Sequence, residues 1–424
     1  MLNHDAAPVR AAPGLASGDA RPAAGGLINR TTLLCLLVAV LEGVDLQAAG
    51  VAAPKLAPAL RLTPTELGWF FSAGTVGLFL GALVGGRLAD RYGRKAVLVV
   101  SVALFGLFTA GTALSPDFTT LFLMRLATGL GLGGTLPNLV ALAAENSPPG
   151  RSGGAVSLMY GGMPLGGAIV SLIAVFAGMG GGFDSWRTIF YAAGGAPLLV
   201  LPVLIWALPE SHAFRAAAAV GEGSRPSVLT ILFGGGRALE TVLLWLAFFA
   251  TLMVLYLLLS WLPLLMTDRG FGKPQAALIQ VMLNISGAIA CVVTGPLLDG
   301  PRRFGYAITV FVGLAVFLVL LAVMPANLTV ALAVGMGAGV TVLTTQATLY
   351  AAAPACYPIA IRGTGVGGAV AAGRLGSVVG PLLGGGLVQA GLSASNLLLS
   401  LVPLVAVGGL LAVLLIHRQR RRQA

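Results

Sequence analysis

Apolar residues in this chain neither alternate with polar ones nor recur at helical spacing; they come in runs. From residue 30 onward, stretches of about 20 residues pass with scarcely a charge, each long enough to cross a bilayer as a helix. Read against breaks at proline, glycine and charged positions, the pattern predicts twelve spans. They cover 30–53, 66–86, 96–115, 118–143, 153–178, 187–208, 239–266, 275–298, 304–324, 328–350, 363–390 and 394–416. The fold class this implies is an all-α polytopic membrane protein. Residues 1–28, rich in Ala, Pro and Gly, read as a disordered cytosolic tail rather than a signal peptide, since the apolar run that follows is too long and lacks a cleavage site.

The chain also repeats. GRLAD at 86–90 has a counterpart in GPLLD at 295–299, and PPGRSGGAV after the fourth span resembles YPIAIRGTGVGGAV after the tenth. Asp90 to Asp299 and Arg151 to Arg362 are displaced by nearly the same amount, close to half the chain. Two six-helix pseudo-symmetric halves are therefore expected, at 29–208 and 239–416. A cytosolic linker at 209–238 joins them, and a basic tail follows at 417–424. Transporters are often built this way, with the substrate site between the repeats near mid-membrane.

Composition agrees: of 424 residues, 57% are hydrophobic and 9% charged, where a soluble domain devotes about a quarter to charge. Lysine and arginine gather on one side. If the N-terminus is cytosolic, the cytosolic segments hold the cluster at 87–95, Arg151, Arg215, Arg225, Arg237, Arg302, Arg303, Arg362 and the tail. The other side keeps Lys55, Arg61, Arg187, Arg269 and Lys273. Both termini are thus expected in the cytosol, with the chain in the cell (inner) membrane. The net charge of +11 reflects this topology and contact with anionic lipid, not nucleic acid, for which no loop is long enough. Cys35, Cys291 and Cys356 read as packing residues. No histidine falls in a predicted span, and no catalytic triad, metal-spaced His/Cys group or phosphate loop is visible, so no enzyme, metal or cofactor is expected.

Against this background Glu42 and Asp45 stand out. Three residues apart, they share one face of the first span. Ionised carboxylates cost about 2.5–3.5 kcal/mol at mid-membrane on insertion scales, so they face a cavity or a partner. Counting helix rise puts Asp45 level with Arg125 of the fourth span, and Glu42 level with Arg374 of the eleventh. Burial favours the neutral form of a carboxyl and a neighbouring arginine the charged form, so Asp45 or Glu42, with Arg125 beside them, is expected to take up the coupled proton and free an arginine for an anion. The guanidinium of Arg374 presents a planar fork suited to a substrate carboxylate, the alternative being a permanent pair with Glu42. Tyr160, Tyr256, Trp261 and Tyr350 are candidates for the walls of an aromatic site, with Asn138, Asn284 and Gln346 for a ring hydroxyl. Trp69, Trp186 and Trp245 read as interfacial anchors. Glycines at 77, 81, 85 and at 376, 380, 384 mark seams where helix backbones pack closely, and Pro164 and Pro381 are expected to kink their spans.

GRLADRYGRK at 86–95, RLATGLGLG at 125–133 and the Pro209–Glu210–Ser211 break resemble three signatures of the major facilitator superfamily. EGVDLQAAG at 42–50, SLMYGGMP at 157–164 and RGTGVG at 362–367 resemble, more narrowly, the aromatic acid:proton symporter family. Glu42 is a departure, since many relatives carry Asp there. The text from Leu41 to Tyr160, WLPLL at 261–265 and GRLGSVVGPLL at 373–383 most resemble members that take 3-(3-hydroxyphenyl)propionate. The resemblance implies import of a small aromatic carboxylate by proton symport and alternating access, in a monomer. Spans 1, 4, 7 and 10 would line the cavity and span 11 would contribute to it. It also implies a gate in the loop after span 2, formed by Gly86, Asp90, Arg91, Gly93 and Arg94, with Arg362 at the start of span 11. Import of another organic anion, export of aromatic compounds, and ligand sensing fit the same residues.

Overall fold

A computed structural model describes residues 29–148, 152–178, 186–210, 232–234, 236–298, 303–357 and 362–423. The described residues form α-helices and short turns. The helices are α1 (Arg30–Ala59), α2 (Pro64–Tyr92), α3 (Arg94–Thr112), α4 (Phe118–Gly133), α5 (Thr135–Glu145), α6 (Ser152–Tyr160), α7 (Gly162–Gly178) and α8 (Trp186–Ala207). The second half holds α9 (Ala238–Asp268), α10 (Lys273–Leu298), α11 (Arg303–Val323), α12 (Leu328–Ala352), α13 (Arg362–Gln389) and α14 (Ala394–Gln423). Twelve spans are long and apolar enough to cross a membrane, and they agree with the hydropathy reading. The expected N-terminal tail, most of the linker, Arg151 and Asp299 lie outside the described residues.

Helices are the economical solution here because each satisfies its own backbone within the span. Their ends carry side-chain caps where the chain turns. Thr63 and Glu66 form a reciprocal capping box on α2, with Pro64 in its first turn. The Asp117 carboxylate accepts from the Thr120 N–H at 2.8 Å, which holds it below the usual carboxylate range. Two spans are broken in the middle. Span 4 is α4 and α5, interrupted at Gly134, and span 5 is α6 and α7, interrupted at Gly161. Proline explains both: Pro137 and Pro164 have no N–H to give to the carbonyls of Gly133 and Tyr160 one turn earlier. Pro164 therefore begins a new helix rather than kinking a continuous one. Pro381 does lie inside a continuous helix.

The two glycine seams serve matching roles. Side chains at Gly77 or Gly81 would strike the backbone of α4, and at Gly376 or Gly380 that of α9. Both seams lie within a half, so they hold each half together instead of providing a sliding surface between halves.

The halves meet through α1 and α9, α2 and α13, and α7 and α10. On the face away from the chain termini they are closed on one another. A Cβ built on Gly68 would lie 3.0 Å from the Pro381 carbonyl and 3.3 Å from Gly385 Cα. One built on Gly385 would lie 2.6 Å from the Pro64 carbonyl. Ser72 Oγ donates across the same seam to the Val378 carbonyl at 2.8 Å. The outer surface is apolar, with Leu199 and Trp206 more than 80% exposed, as a surface facing lipid requires. Trp69 is half-exposed as an interfacial anchor would be, whereas Trp186 is not one: it is buried against Phe190, with Arg187 over its ring. Cys35 and Cys356 are buried free thiols. His417, expected just past the last span, lies within α14 beside Phe304.

Candidate functional site

The two carboxylates of α1 are both fully buried, yet their surroundings differ. Gly43, between them, lets α1 press against the backbone of α7 at Met163, drawing this face of α1 into the bundle. Asp45 Oδ1 accepts from Arg125 Nη1 at 3.0 Å and from the Thr109 hydroxyl, and Arg125 Nη2 reaches the Asp45 carbonyl at 3.4 Å. Gly74 leaves room for the guanidinium; a Cβ there would lie 3.3 Å from Nη2. Asp45 and Arg125 form the ion pair expected from their matching depths. With one partner removed, the charge left behind would cost about 3–5 kcal/mol.

Among the described residues no arginine contacts Glu42. Its Oε2 lies 3.0 Å from Thr135 Oγ1, at the start of α5, and its Oε1 has no hydrogen-bond partner. Thr135 owns one hydroxyl proton, and its Oγ1 also sits 2.6 Å from the Leu132 carbonyl. When that proton goes to Leu132, the contact with Glu42 is satisfied only by a proton on the carboxyl itself. The contact thus also accommodates a proton on Glu42 without a change of partners.

Arg374 is buried in α13. It and Glu42 each stand roughly 18 Å along their helices from the termini face, counted at about 1.5 Å per residue. The two act on each other electrostatically, but they form no direct ion pair, so the permanent Glu42–Arg374 pair is not what the fold contains. Among the described residues the Arg374 side chain makes one hydrogen bond, from Nη1 to the Tyr256 hydroxyl at 2.6 Å. Tyr160 and Tyr350 complete its surroundings. They reach across the two halves with ring centroids 6.0 Å apart, and Phe248 backs Tyr350 edge-on at 5.1 Å. Gln346, one turn from Tyr350 on the same helix face, is buried with neither amide atom partnered. Charge, phenols and an unused amide therefore converge from α1, α6, α9, α12 and α13.

Other expected site residues are committed elsewhere. Trp261 donates to the Pro381 carbonyl at 3.1 Å and packs edge-on to Phe71. Asn138 Nδ2 donates to Gly134 O of its own span at 2.7 Å. Asn284 is bound to Gln47, a residue the sequence reading did not single out. Around the expected gate, Gly93 takes φ +96°, open to glycine at little cost, and ends α2. Glu210 Oε1 accepts from the backbone N–H of Arg94 at 2.8 Å and of Lys95 at 3.1 Å, capping α3, and the Arg94 side chain pairs with Glu145 of α5. These contacts tie together one half. Gly86 has open space around its Cα, and Arg91 is exposed over the Tyr92 ring. The side chains of Asp90 and Arg362 lie outside the described residues, so their expected contact does too. The threonines that serve the carboxylates, Thr109 and Thr135, gave no sequence signal, because threonine inside a span reads equally well as packing.

Two six-helix halves closed over a buried, charged and partly unpartnered cluster define a membrane transport protein. The chain belongs to the Major Facilitator Superfamily, whose family model matches residues 35–355. It is a multi-pass membrane transporter and not an enzyme. It is 44% identical over 390 residues to the 3-(3-hydroxy-phenyl)propionate transporter of Escherichia coli (strain K12), a match spanning 92% of this chain and 94% of that one. It is 34% identical over 430 residues to the 4-hydroxybenzoate transporter PcaK of Pseudomonas putida, spanning 92% and 93%. Among solved structures it is similar to a D-xylose-proton symporter, with a TM-score of 0.73 and 21% identity over 91% of this chain and 96% of that one, a likeness of fold alone.

Proposed function

We propose that this protein imports an aromatic carboxylate, 3-(3-hydroxyphenyl)propionate or a close relative, by proton symport with alternating access across the inner membrane, its termini in the cytosol. One observation carries the reading: among the described residues the buried Arg374 guanidinium makes a single hydrogen bond, to the Tyr256 hydroxyl. A substrate carboxylate supplies the missing counter-charge through two parallel hydrogen bonds. The aromatic ring then lies among Tyr160, Tyr256 and Tyr350, and a ring hydroxyl meets the Gln346 amide. The relatives named as transporters of hydroxylated aromatic acids support the same substrate class.

Proton coupling falls to Glu42. With Asp45 held by Arg125, Glu42 is the carboxyl in the field of Arg374 that no cation among the described residues contacts. A proton on Glu42 removes a charge that competes with the substrate for Arg374, so proton and substrate favour each other's binding. Both charges are then neutralised, which eases the change of access. Release to the cytosol resets the cycle. The test uses purified protein in liposomes with an imposed inward proton gradient and labelled 3-(3-hydroxyphenyl)propionate, with benzoate and a sugar as competitors. Accumulation that collapses with a protonophore and yields to aromatic acids alone is expected. Failure of folded protein to accumulate the label overturns proton-driven import of this substrate.

A further inference from the structure

Three buried side-chain amides join the halves at a point the transport cycle just described does not use. Gln47 of α1 and Asn284 of α10 exchange two hydrogen bonds, Gln47 Nε2 to Asn284 Oδ1 at 2.9 Å and Asn284 Nδ2 to Gln47 Oε1 at 2.7 Å. Gln280, one turn earlier on α10, donates to the same Gln47 Oε1 at 2.9 Å. All three are at most 4% exposed. Gln280 and Asn284, four residues apart, share a helix face, and Gln47 inserts against both. Gly167 of α7 makes the insertion possible, because any side chain there would collide with the Gln47 amide. Gln47 is two residues beyond Asp45 and so points to a different side of α1, toward α7 and α10 rather than α4.

We propose that Gln47, Gln280 and Asn284 form an interhalf latch that holds the state closed on the face away from the termini. Each bond between Gln47 and α10 joins one half to the other, so parting the halves at this depth breaks all three together. The amides then need water to replace one another, and Gln280 Oε1, already without a partner, has to be hydrated as well. The latch therefore sets the equilibrium between the two accesses, and it does so whatever the substrate. In a bilayer no hydrophobic force presses helix against helix, so the preference rests on packing and on such bonds.

The test measures opening directly in the purified full-length protein. Ala277, 3% exposed and lining the crevice with Val51, Pro54 and Pro263 where the halves close, is changed to cysteine after Cys35, Cys291 and Cys356 are replaced by alanine. Its maleimide labelling rate reports how often that face opens. Gln47→Leu is expected to raise the rate about tenfold, the factor that corresponds to two or three hydrogen bonds of ordinary net strength. Gln280→Leu, which spares the reciprocal Gln47–Asn284 pair, raises it less. Gly167→Ala, which displaces the Gln47 amide while all three amide side chains are retained, raises it as Gln47→Leu does. Should Gln47→Leu not fold, Gln47→Asn, shorter by one methylene but still polar, carries the same expectation. An unchanged or slower rate in the folded variant overturns the latch. Because no substrate is present, failure of the transport reading leaves this result untouched.

Discussion

Changing Arg374 to lysine separates the shape of the charge from the charge itself. Lysine keeps the positive charge that Glu42 feels, so the electrostatics of the cluster survive, but it loses the planar fork. Arg374 has five N–H donors, of which the structure commits one, at 2.6 Å to Tyr256. The donors left over are what a carboxylate would bind as a pair. Losing one charge-assisted bond of that pair costs about 1.5–3 kcal/mol, or roughly 10- to 150-fold in dissociation constant. Tyr256→Phe removes only the neutral bond that orients the guanidinium, worth about 1 kcal/mol, and weakens binding roughly fivefold. The assay is equilibrium binding of labelled 3-(3-hydroxyphenyl)propionate to purified protein, with the uncharged amide of the same acid as a competitor. The amide binds weakly to the unaltered protein, and Arg374→Lys does not weaken it further. A dissociation constant for the acid within about threefold of the unaltered value in Arg374→Lys, or an equal loss for acid and amide, refutes the carboxylate role.

Glu42→Gln keeps the size and the Thr135 contact while fixing the neutral form; it should retain substrate exchange but lose accumulation driven by a pH gradient, and retained accumulation refutes Glu42 as the proton carrier. Asp45→Asn strands Arg125 without its counter-charge, so a fall in thermal stability of about 3–5 kcal/mol is expected together with loss of accumulation, read by thermal unfolding and uptake. Gln346→Leu should erase most of the preference for hydroxylated over unsubstituted phenylpropionate, about tenfold in competition, with little effect on binding of the unsubstituted acid. Gly93→Ala forces an L-residue to φ +96° and pushes a methyl to within 2.5 Å of Glu210 Oε2, so stability should drop by about 1–3 kcal/mol while substrate affinity stays unchanged.

Much of the fold was legible because hydropathy and helix length are read directly from residue order. The pairing of Asp45 with Arg125 was legible for the same reason: depth follows from counting residues at a fixed rise, and a buried charge demands a partner at its own depth. Depth is a single coordinate, however, and it fails where direction matters. Glu42 and Arg374 were placed at one level, yet Glu42 turns to Thr135 and Arg374 to Tyr256. Trp261 and Asn138 were the right kinds of residue for an aromatic site, but a backbone carbonyl claims each of them. Gln47 and Gln280 escaped notice because an amide inside a span carries no charge to betray a partner, and its partner here is in the other half of the chain. The two broken spans were within reach, since Pro137 and Pro164 were visible and each deletes an identifiable hydrogen bond.

The contrast between the two intramembrane arginines gives the site its logic. Arg125 has its counter-charge in a carboxylate of its own half, so the pair moves as one body when the halves rock. Arg374 is left with a phenol, and the carboxyl near it, Glu42, belongs to the other half. On the proposed cycle an ionised Glu42 across the seam offsets Arg374 in the empty site, proton and anion together offset both in the loaded one, and a half-loaded site alone is left with an uncompensated charge. A transporter needs that ordering, since the loaded and empty forms should cross readily and the half-loaded forms should not. Two substitutions within the first half disturb the satisfied pair and leave Arg374 across the seam unchanged: Asp45→Asn with Thr135→Asp removes the partner of Arg125 and sets a like charge beside Glu42. That double variant should lose exchange as well as accumulation, whereas Glu42→Gln keeps exchange. Equal behaviour of the two would mean that the pairing of charge within the first half has no part in coupling.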